Sequence, residues 1–179
     1  MTAVTSLQVR PDGWTVDDLP DREDFRYELV DGALLLSPSP TPRHSGVAAR
    51  LQRALWDVVG PGWDVLAGAG VTFDRRNYRE PDVAVVRSAV LNAASIVPSD
   101  VLLAVEVMSP SSVSNDRITK PAQYAAAGIP YYWRIEADPP QLVQHVLEDG
   151  VYRESARSGD AVQVTEPVAM TVDLDALFS

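Results

Sequence analysis

From Leu102 to Met108 every residue is apolar except Glu106. A run of this kind, without polar alternation, suits a central strand covered on both faces. An acid inside it is expensive to bury unless a partner or a metal ion meets it. The run therefore sets two expectations: a sheet with 101–108 at its centre, and a carboxylate compensated by something nearby. The residues that follow extend the first. Asp116-Arg117-Ile118-Thr119-Lys120, continuing through Gln123-Tyr124-Ala125-Ala126-Ala127, predicts a helix over 116–127 that stops at Gly128. Tyr131-Tyr132-Trp133-Arg134-Ile135 then reads as a β-rich strand. Strand, helix and strand make one crossover unit.

Lys120 is the only lysine of the chain, and it lies 14 positions after Glu106. A GC-rich coding bias would also favour arginine over lysine, and Lys120 has a second plain use as an i, i+4 partner of Asp116, worth a few tenths of a kcal/mol. Its setting, one loop beyond the buried acid, points further. Asp82 follows Glu80-Pro81 and opens a second apolar run, Val83-Ala84-Val85-Val86. Two acids and one ammonium at strand ends are what a metal-dependent phosphodiester nuclease needs. Mg²⁺ keeps several waters and is held by one or two carboxylates plus a substrate phosphate. A bound divalent ion lowers the pKa of its water, and a nearby ammonium adds positive charge where the transition state gathers negative charge. Cysteine is absent and the only histidines are His44 and His145, which argues against a zinc site of the usual His/Cys kind. The expected cofactor is Mg²⁺ or Mn²⁺, with Asp82 and Glu106 as ligands. Grouped acids repel, so one of them should have a raised pKa in the absence of metal, and metal binding should strengthen with pH.

The remaining elements follow from turns and periodicity. Residues 1–13 look irregular, and Thr15 to Leu19 resembles a short capped helix. Tyr27-Glu28-Leu29-Val30, Asp31-Gly32 and Ala33-Leu34-Leu35-Leu36 predict a β-hairpin, because Asp-Gly supplies the positive φ angles of a two-residue turn. Prolines 38, 40 and 42 interrupt the pattern. Val47, Ala48, Leu51, Leu55 and Val58 then recur at helical spacing up to Gly60-Pro61-Gly62. Strands are expected near 64–67, 71–74 and 82–87, with 88–99 open between helix and loop. Leu142 to Leu147, Glu148-Asp149-Gly150 and Val151-Tyr152-Arg153 suggest a hairpin at the sheet edge, followed by elements near 162–165 and 168–172 and a short helix from Leu174 to Phe178. With 179 residues, 46% of them hydrophobic, the chain fits one domain, 1–179. No segment approaches the ~20 apolar residues that cross a bilayer, and no signal core opens the chain, so a cytoplasmic protein is expected.

Six motifs in order resemble those of the Uma-two family of endonuclease-like proteins, once grouped as a domain of unknown function. They are Tyr27-Glu28-Leu29-Val30-Asp31-Gly32; Pro42 with His44; Glu80-Pro81-Asp82-Val83; Val105-Glu106-Val107-Met108-Ser109-Pro110-Ser111; Asp116 with Lys120 and Tyr124; and Gly128-Ile129-Pro130-Tyr131-Tyr132-Trp133. The resemblance covers nearly the whole chain. It implies the PD-(D/E)XK superfamily and an α/β fold: a restriction-endonuclease-like core, its mixed central β-sheet flanked by helices, with an N-terminal β-hairpin and additional C-terminal strands. It further implies that Asp82 is the first metal-binding acid, Glu106 the second, and Glu28 an additional acid from the N-terminal element. The superfamily lysine normally sits two positions after the second acid, where this chain has Met108; Lys120 looks like its relocated counterpart.

Each site residue has a plainer use as well. Asp82 could cap a turn, Glu28 could face a basic side chain across the hairpin, and His44 could make a polar hydrogen bond at its helix start. Tyr124 could pack in the core instead of lining the site rim, and Tyr131-Tyr132-Trp133 suits a core or a subunit interface. A net charge of −10 gives no global basic footprint for DNA. Local arginines remain as candidate contacts, Arg75, Arg76 and Arg79 between two strands and Arg43, Arg50 and Arg53 on or before a helix, although each cluster reads first as a solvated surface face. The reading is an endonuclease hydrolysing DNA phosphodiester bonds through a metal-activated water. The alternative is a catalytically silent domain of the same fold acting as a dimeric binding module, a homodimer being the commonest soluble oligomer.

Overall fold

In the computed structural model the described residues are 6–8, 10–19, 25–108 and 118–179. Two sheets meet near one end of the central strand. The first contains β1 (Ser6–Gln8), β2 (Phe25–Val30), β3 (Ala33–Pro38), β5 (Val71–Asp74) and β6 (Asn77–Arg79), and between β3 and β5 the chain forms α1 (Pro42–Trp56) and β4 (Trp63–Ala67). Strand order in this sheet is β1-β3-β2-β6-β5. The hairpin of β2 and β3 turns at Asp31 (φ 51°) and Gly32 (φ 81°), both left-handed as a two-residue turn requires. Along β2, Tyr27 and Leu29 are buried in a small core with Leu34. Strand periodicity sends the alternate residues, Arg26 and Glu28, to the opposite side.

The second sheet holds β4, β7 (Val83–Arg87), β8 (Val101–Val107), β9 (Tyr131–Ala137), β10 (Pro140–Glu148) and β11 (Val151–Ser158), in the order β11-β10-β9-β8-β7-β4. It is mixed: β8 and β9 are parallel, with Glu106 opposite Arg134, while β7 and β8 are antiparallel. The parallel pair is joined through α2 (Lys120–Ala126), so the crossover expected from the sequence is present. On one face α1 presents Val47, Ala48, Leu51 and Leu55 to Val83, Val85, Val105 and Trp133. Burying a Leu or Val side chain of this kind is worth about 1.5–3 kcal/mol, so this face holds α1 in place. Pro42 sits at the first helical position, and the Thr41 hydroxyl caps α1 by accepting from His44 N at 3.3 Å, a first-turn amide with no partner inside the helix. On the other face, Tyr124 and Ile129 pack against Ala104 and Tyr132. A two-stranded sheet of β12 (Val162–Val164) and β13 (Met170–Val172) and the short α3 (Leu174–Phe178) complete the α1 face.

The architecture is the α/β class expected, with a mixed central sheet between helices, and several boundaries differ. Residues 6–8, read as irregular, form β1 against Leu34, Leu35 and Leu36, because an apolar β3 offers an unpaired edge. Strand β6 was not expected; it is three residues long and too polar to show a pattern. Val58 lies beyond α1 and is 40% exposed, so it is not part of the apolar stripe. The 88–99 connection contains two 3-10 turns, Ser88–Asn92 and Pro98–Asp100. The expected helix start at Asp116 and the Ser109-Pro110-Ser111-Ser112 loop lie outside the described residues.

Candidate active site

The link Glu80-Pro81-Asp82 carries the chain from β6 of the first sheet into β7 of the second. It places Asp82 beside the end of β8. Antiparallel pairing of Val83 with Val105 puts Asp82 across from the segment 106–107, and its Oδ2 accepts the Val107 amide proton at 2.7 Å. The other partners of this carboxylate are side-chain donors. Arg26 Nη1 donates to Oδ1, and His44 Nε2 stands 3.1 Å from Oδ2. The same His44 nitrogen is 2.9 Å from the Val107 carbonyl oxygen, which can only accept, so Nε2 carries the proton. Burial pushes the Asp82 carboxyl upward; the His44 bond and the Arg26 charge outweigh that and hold it well below the usual range.

Glu106 is buried and satisfied by two donors from one helix. Lys120 Nζ donates to Oε2 at 2.9 Å and the Tyr124 hydroxyl to Oε1 at 2.7 Å. Residues four apart lie on one side of a helix, so α2 delivers both groups to the same carboxylate. Lys120 Nζ is also 3.1 Å from Glu28 Oε1, close enough for an ion pair although its angle falls short of a hydrogen bond. Glu28 Oε2 accepts from Arg79 Nη1 at 2.9 Å, and Arg79 Nε donates to Gln123 Oε1 at 2.7 Å. Burial raises the Glu28 pKa; Lys120 and Arg79 more than reverse it, and the net direction is down.

Sequence reasoning named Asp82, Glu106, Lys120 and Glu28 for the centre and His44 and Tyr124 for its rim, and the fold brings all six into one connected cluster. Tyr124 takes the core packing also read for it and keeps a tie to the site: it is fully buried, stacked on Phe73 at 5.9 Å, and supports Glu106 from within. Arg79, expected with Arg75 and Arg76 as a surface group, is buried and belongs to the cluster. Asp82 and Glu28 are shifted down because each faces cationic side chains, while the neighbouring Glu80 is pushed upward through burial that Arg26 and Tyr78 only partly offset. Arg26, Gln123 and the Val107 peptide were missed. Arg26 had a signal, since it shares with Glu28 the polar side of a strand whose other side reads Tyr27 and Leu29. The remaining arginines have structural partners: Arg50 donates to the Leu177 and Ser179 carbonyls, Arg43 lies over Phe178, and Arg76 donates to the Asp31 carbonyl.

A family model, Uma2, described as "Putative restriction endonuclease", matches residues 15–176. The chain belongs to this family. No curated protein matches it. A solved structure described as "a putative nuclease belonging to DUF820 from Anabaena variabilis ATCC 29413" is similar, with a TM-score of 0.69 at 17% identity over 92% of this chain and 97% of that one. At that identity the likeness is one of fold, and it agrees with the mixed sheet between helices. The Uma2 match spans every residue of the cluster, from Arg26 to Tyr124.

The donor chemistry of this Uma2 site fits a hard divalent ion. Asp82 Oδ2 and the Val107 carbonyl oxygen both lie near 3 Å from a single point, and that point is held by the proton-bearing His44 Nε2. Two oxygens aimed at one N–H group form a place that a cation such as Mg²⁺ could take if the ring turned away. Among the described residues no three His, Cys, Asp or Glu side chains already form a coordination set, because each acid is bound to a cationic side chain instead. No helix of the described residues is long and apolar enough to cross a membrane.

Proposed function

We propose that this Uma2 protein is a Mg²⁺- or Mn²⁺-dependent endonuclease that hydrolyses DNA phosphodiester bonds. The observation that carries the reading is the buried Glu106–Lys120 pair, 2.9 Å apart, on a strand end next to the Asp82 carboxylate and the Val107 carbonyl. Burying an ion pair seldom adds stability over apolar packing, so a cluster of this size asks for another use. Asp82, the Val107 carbonyl and Glu106 would hold the ion. When bound, the ion would supply an acidified water and a counter-charge for the phosphate. Lys120 would orient the water through its ammonium protons and face the charge that grows on phosphorus oxygens as the new P–O bond forms and the bond to the leaving sugar oxygen breaks. Tyr124 would fix Glu106, and Glu28 would hold Lys120 at the right height.

An overall charge of −10 does not oppose this, because phosphate approach depends on charge near the site. There the acids Glu28, Asp82 and Glu106 are matched by Arg26, Arg79 and Lys120, with Glu80 beside Arg26 as a further acid. The test is calorimetric titration of Mn²⁺ and Mg²⁺ into the protein and its Asp82→Ala and Glu106→Ala variants, with plasmid nicking followed in parallel. Loss of both metal binding and nicking in both variants is expected. Metal-stimulated nicking that persists in folded Asp82→Ala and Glu106→Ala proteins would overturn the assignment.

A further inference from the structure

We propose that Arg26 is the group that receives a substrate phosphate, and that by leaving Asp82 to do so it couples phosphate binding to metal binding. The inference rests on the nuclease reading above. Arg26 has two anchors: Nη1 donates to Asp82 Oδ1, while Nη2 donates to the Glu80 carbonyl at 2.6 Å and Nε lies 3.5 Å from Glu80 Oε2. Of the three Lys and Arg side chains in the cluster it is the one that reaches solvent, 24% exposed against 7% for Lys120 and 1% for Arg79. Lys120 and Arg79 are enclosed and committed to Glu28, with Lys120 also on Glu106. An arriving phosphate therefore meets Arg26 first.

Both oxygens of Asp82 are already taken, Oδ1 by Arg26 and Oδ2 by His44 and the Val107 amide. A divalent ion must compete with the guanidinium for a carboxylate whose charge is neutralised. A phosphate offers Arg26 the same planar, two-oxygen recognition that a carboxylate does. Moving to it, with Glu80 as the pivot, removes the cation that neutralises Asp82, so an ion at Oδ2 and the Val107 carbonyl meets the full carboxylate charge and no charge is left unmatched. Each ligand then raises the affinity of the other by the same factor. The protein would bind metal weakly alone and well once a phosphodiester is present.

The experiment measures Mn²⁺ affinity by calorimetry, with and without a saturating phosphorothioate oligonucleotide that resists cleavage, in the native protein, Arg26→Met and Arg26→Lys. In the native protein the oligonucleotide should tighten Mn²⁺ by about tenfold or more, within the usual span of coupling between two sites. Arg26→Met should bind Mn²⁺ more tightly than the native protein without oligonucleotide, and the oligonucleotide should then change its affinity less than about threefold. Arg26→Lys has one donor head and cannot span Asp82 and Glu80, so its Mn²⁺ affinity should also rise, with part of the coupling kept. Arg26→Met that binds Mn²⁺ no more tightly than native, or shows undiminished coupling, overturns the proposal. Should Arg26→Met not fold, Arg26→Lys decides, and no rise in its affinity overturns it. The two readings fail differently: Asp82→Ala with unchanged Mn²⁺ binding removes the metal site itself, whereas a silent Arg26 with a responsive Asp82 removes only the coupling.

Discussion

Replacing Glu28 by Gln should destabilise the fold by about 2–3 kcal/mol. Glu28 lies between Arg79 at 2.9 Å and Lys120 at 3.1 Å, with side-chain exposures of 11%, 1% and 7% in that order. Removing one member of a buried ion pair costs about 3–5 kcal/mol because the other charge is left uncompensated. Gln preserves the volume, and its carbonyl can still accept from Arg79, which trims that figure. Lys120 keeps Glu106, but Arg79 retains only neutral partners, Gln123 and the new amide, and its Nη2 has no hydrogen-bond partner among the described residues even in the native state. At about 2–4 °C per kcal/mol for a chain of this size, the melting temperature should fall by roughly 4–12 °C. Urea unfolding of Glu28→Gln, Arg79→Met and the double variant gives the decisive number. Arg79→Met removes the orphaned cation, so the double variant should be less destabilised than the sum of the singles by about 1–3 kcal/mol. Additive effects, or a Glu28→Gln protein within about 0.5 kcal/mol of native, would show that the charges of this cluster are not coupled as described.

Tyr124→Phe removes the 2.7 Å donor to Glu106 Oε1 and should cost about 1.5–3 kcal/mol in urea unfolding, the range for a hydrogen bond to a charged group. Asp82 is shifted down in the folded state, so the stability it contributes is present above its unfolded pKa of about 3.9 and is lost as pH falls below that value. Unfolding free energy measured from pH 6 down to pH 3 should therefore decline less steeply in Asp82→Asn than in the native protein, and parallel curves would contradict the shift. Gly70→Ala would set a Cβ 1.8 Å from the Tyr78 hydroxyl, which bonds Glu80 at 3.1 Å. Displacing that ring should cost about 1–3 kcal/mol, seen as a lower urea midpoint.

Elements whose residues repeat a simple pattern were legible in the chain. The β2–β3 hairpin follows from Asp31-Gly32 between apolar runs, α1 from the 3.6-residue spacing of Val47, Leu51 and Leu55, and β8 from an unbroken apolar run. Elements held by their neighbours were not. Strand β1 is ordered by the edge of β3, and β6 by Val71, Thr72 and Asp74 on one side and Leu29 on the other, so neither carries a signal of its own. The site divides the same way. Glu106 and Lys120 stood out because a buried acid and a single lysine are exceptional by themselves. Arg26 and Arg79 were two arginines among many, and what sets them apart is that β2 and β6 run side by side, a pairing the sequence does not announce.

That pairing also bears on how an acidic protein could take the anionic substrate proposed for it. Asp82, Glu106 and Glu28 are each matched by a cation from a different element: Asp82 by Arg26 of β2, Glu106 by Lys120 of α2, and Glu28 by Arg79 of β6 and Lys120. Charge is thus close to balanced where the two sheets meet, three cations standing against Glu28, Asp82, Glu106 and the neighbouring Glu80. The excess negative charge lies elsewhere, largely on exposed carboxylates such as Asp57, Asp149 and Asp160. At physiological salt, charges separated by more than about 8 Å are largely screened from one another. The surface acids therefore do little to a phosphate already at Arg26, but they weaken the long-range attraction that would bring bulk DNA there. A nuclease built this way should bind DNA with a shallow dependence on salt, because few phosphates are neutralised at a time.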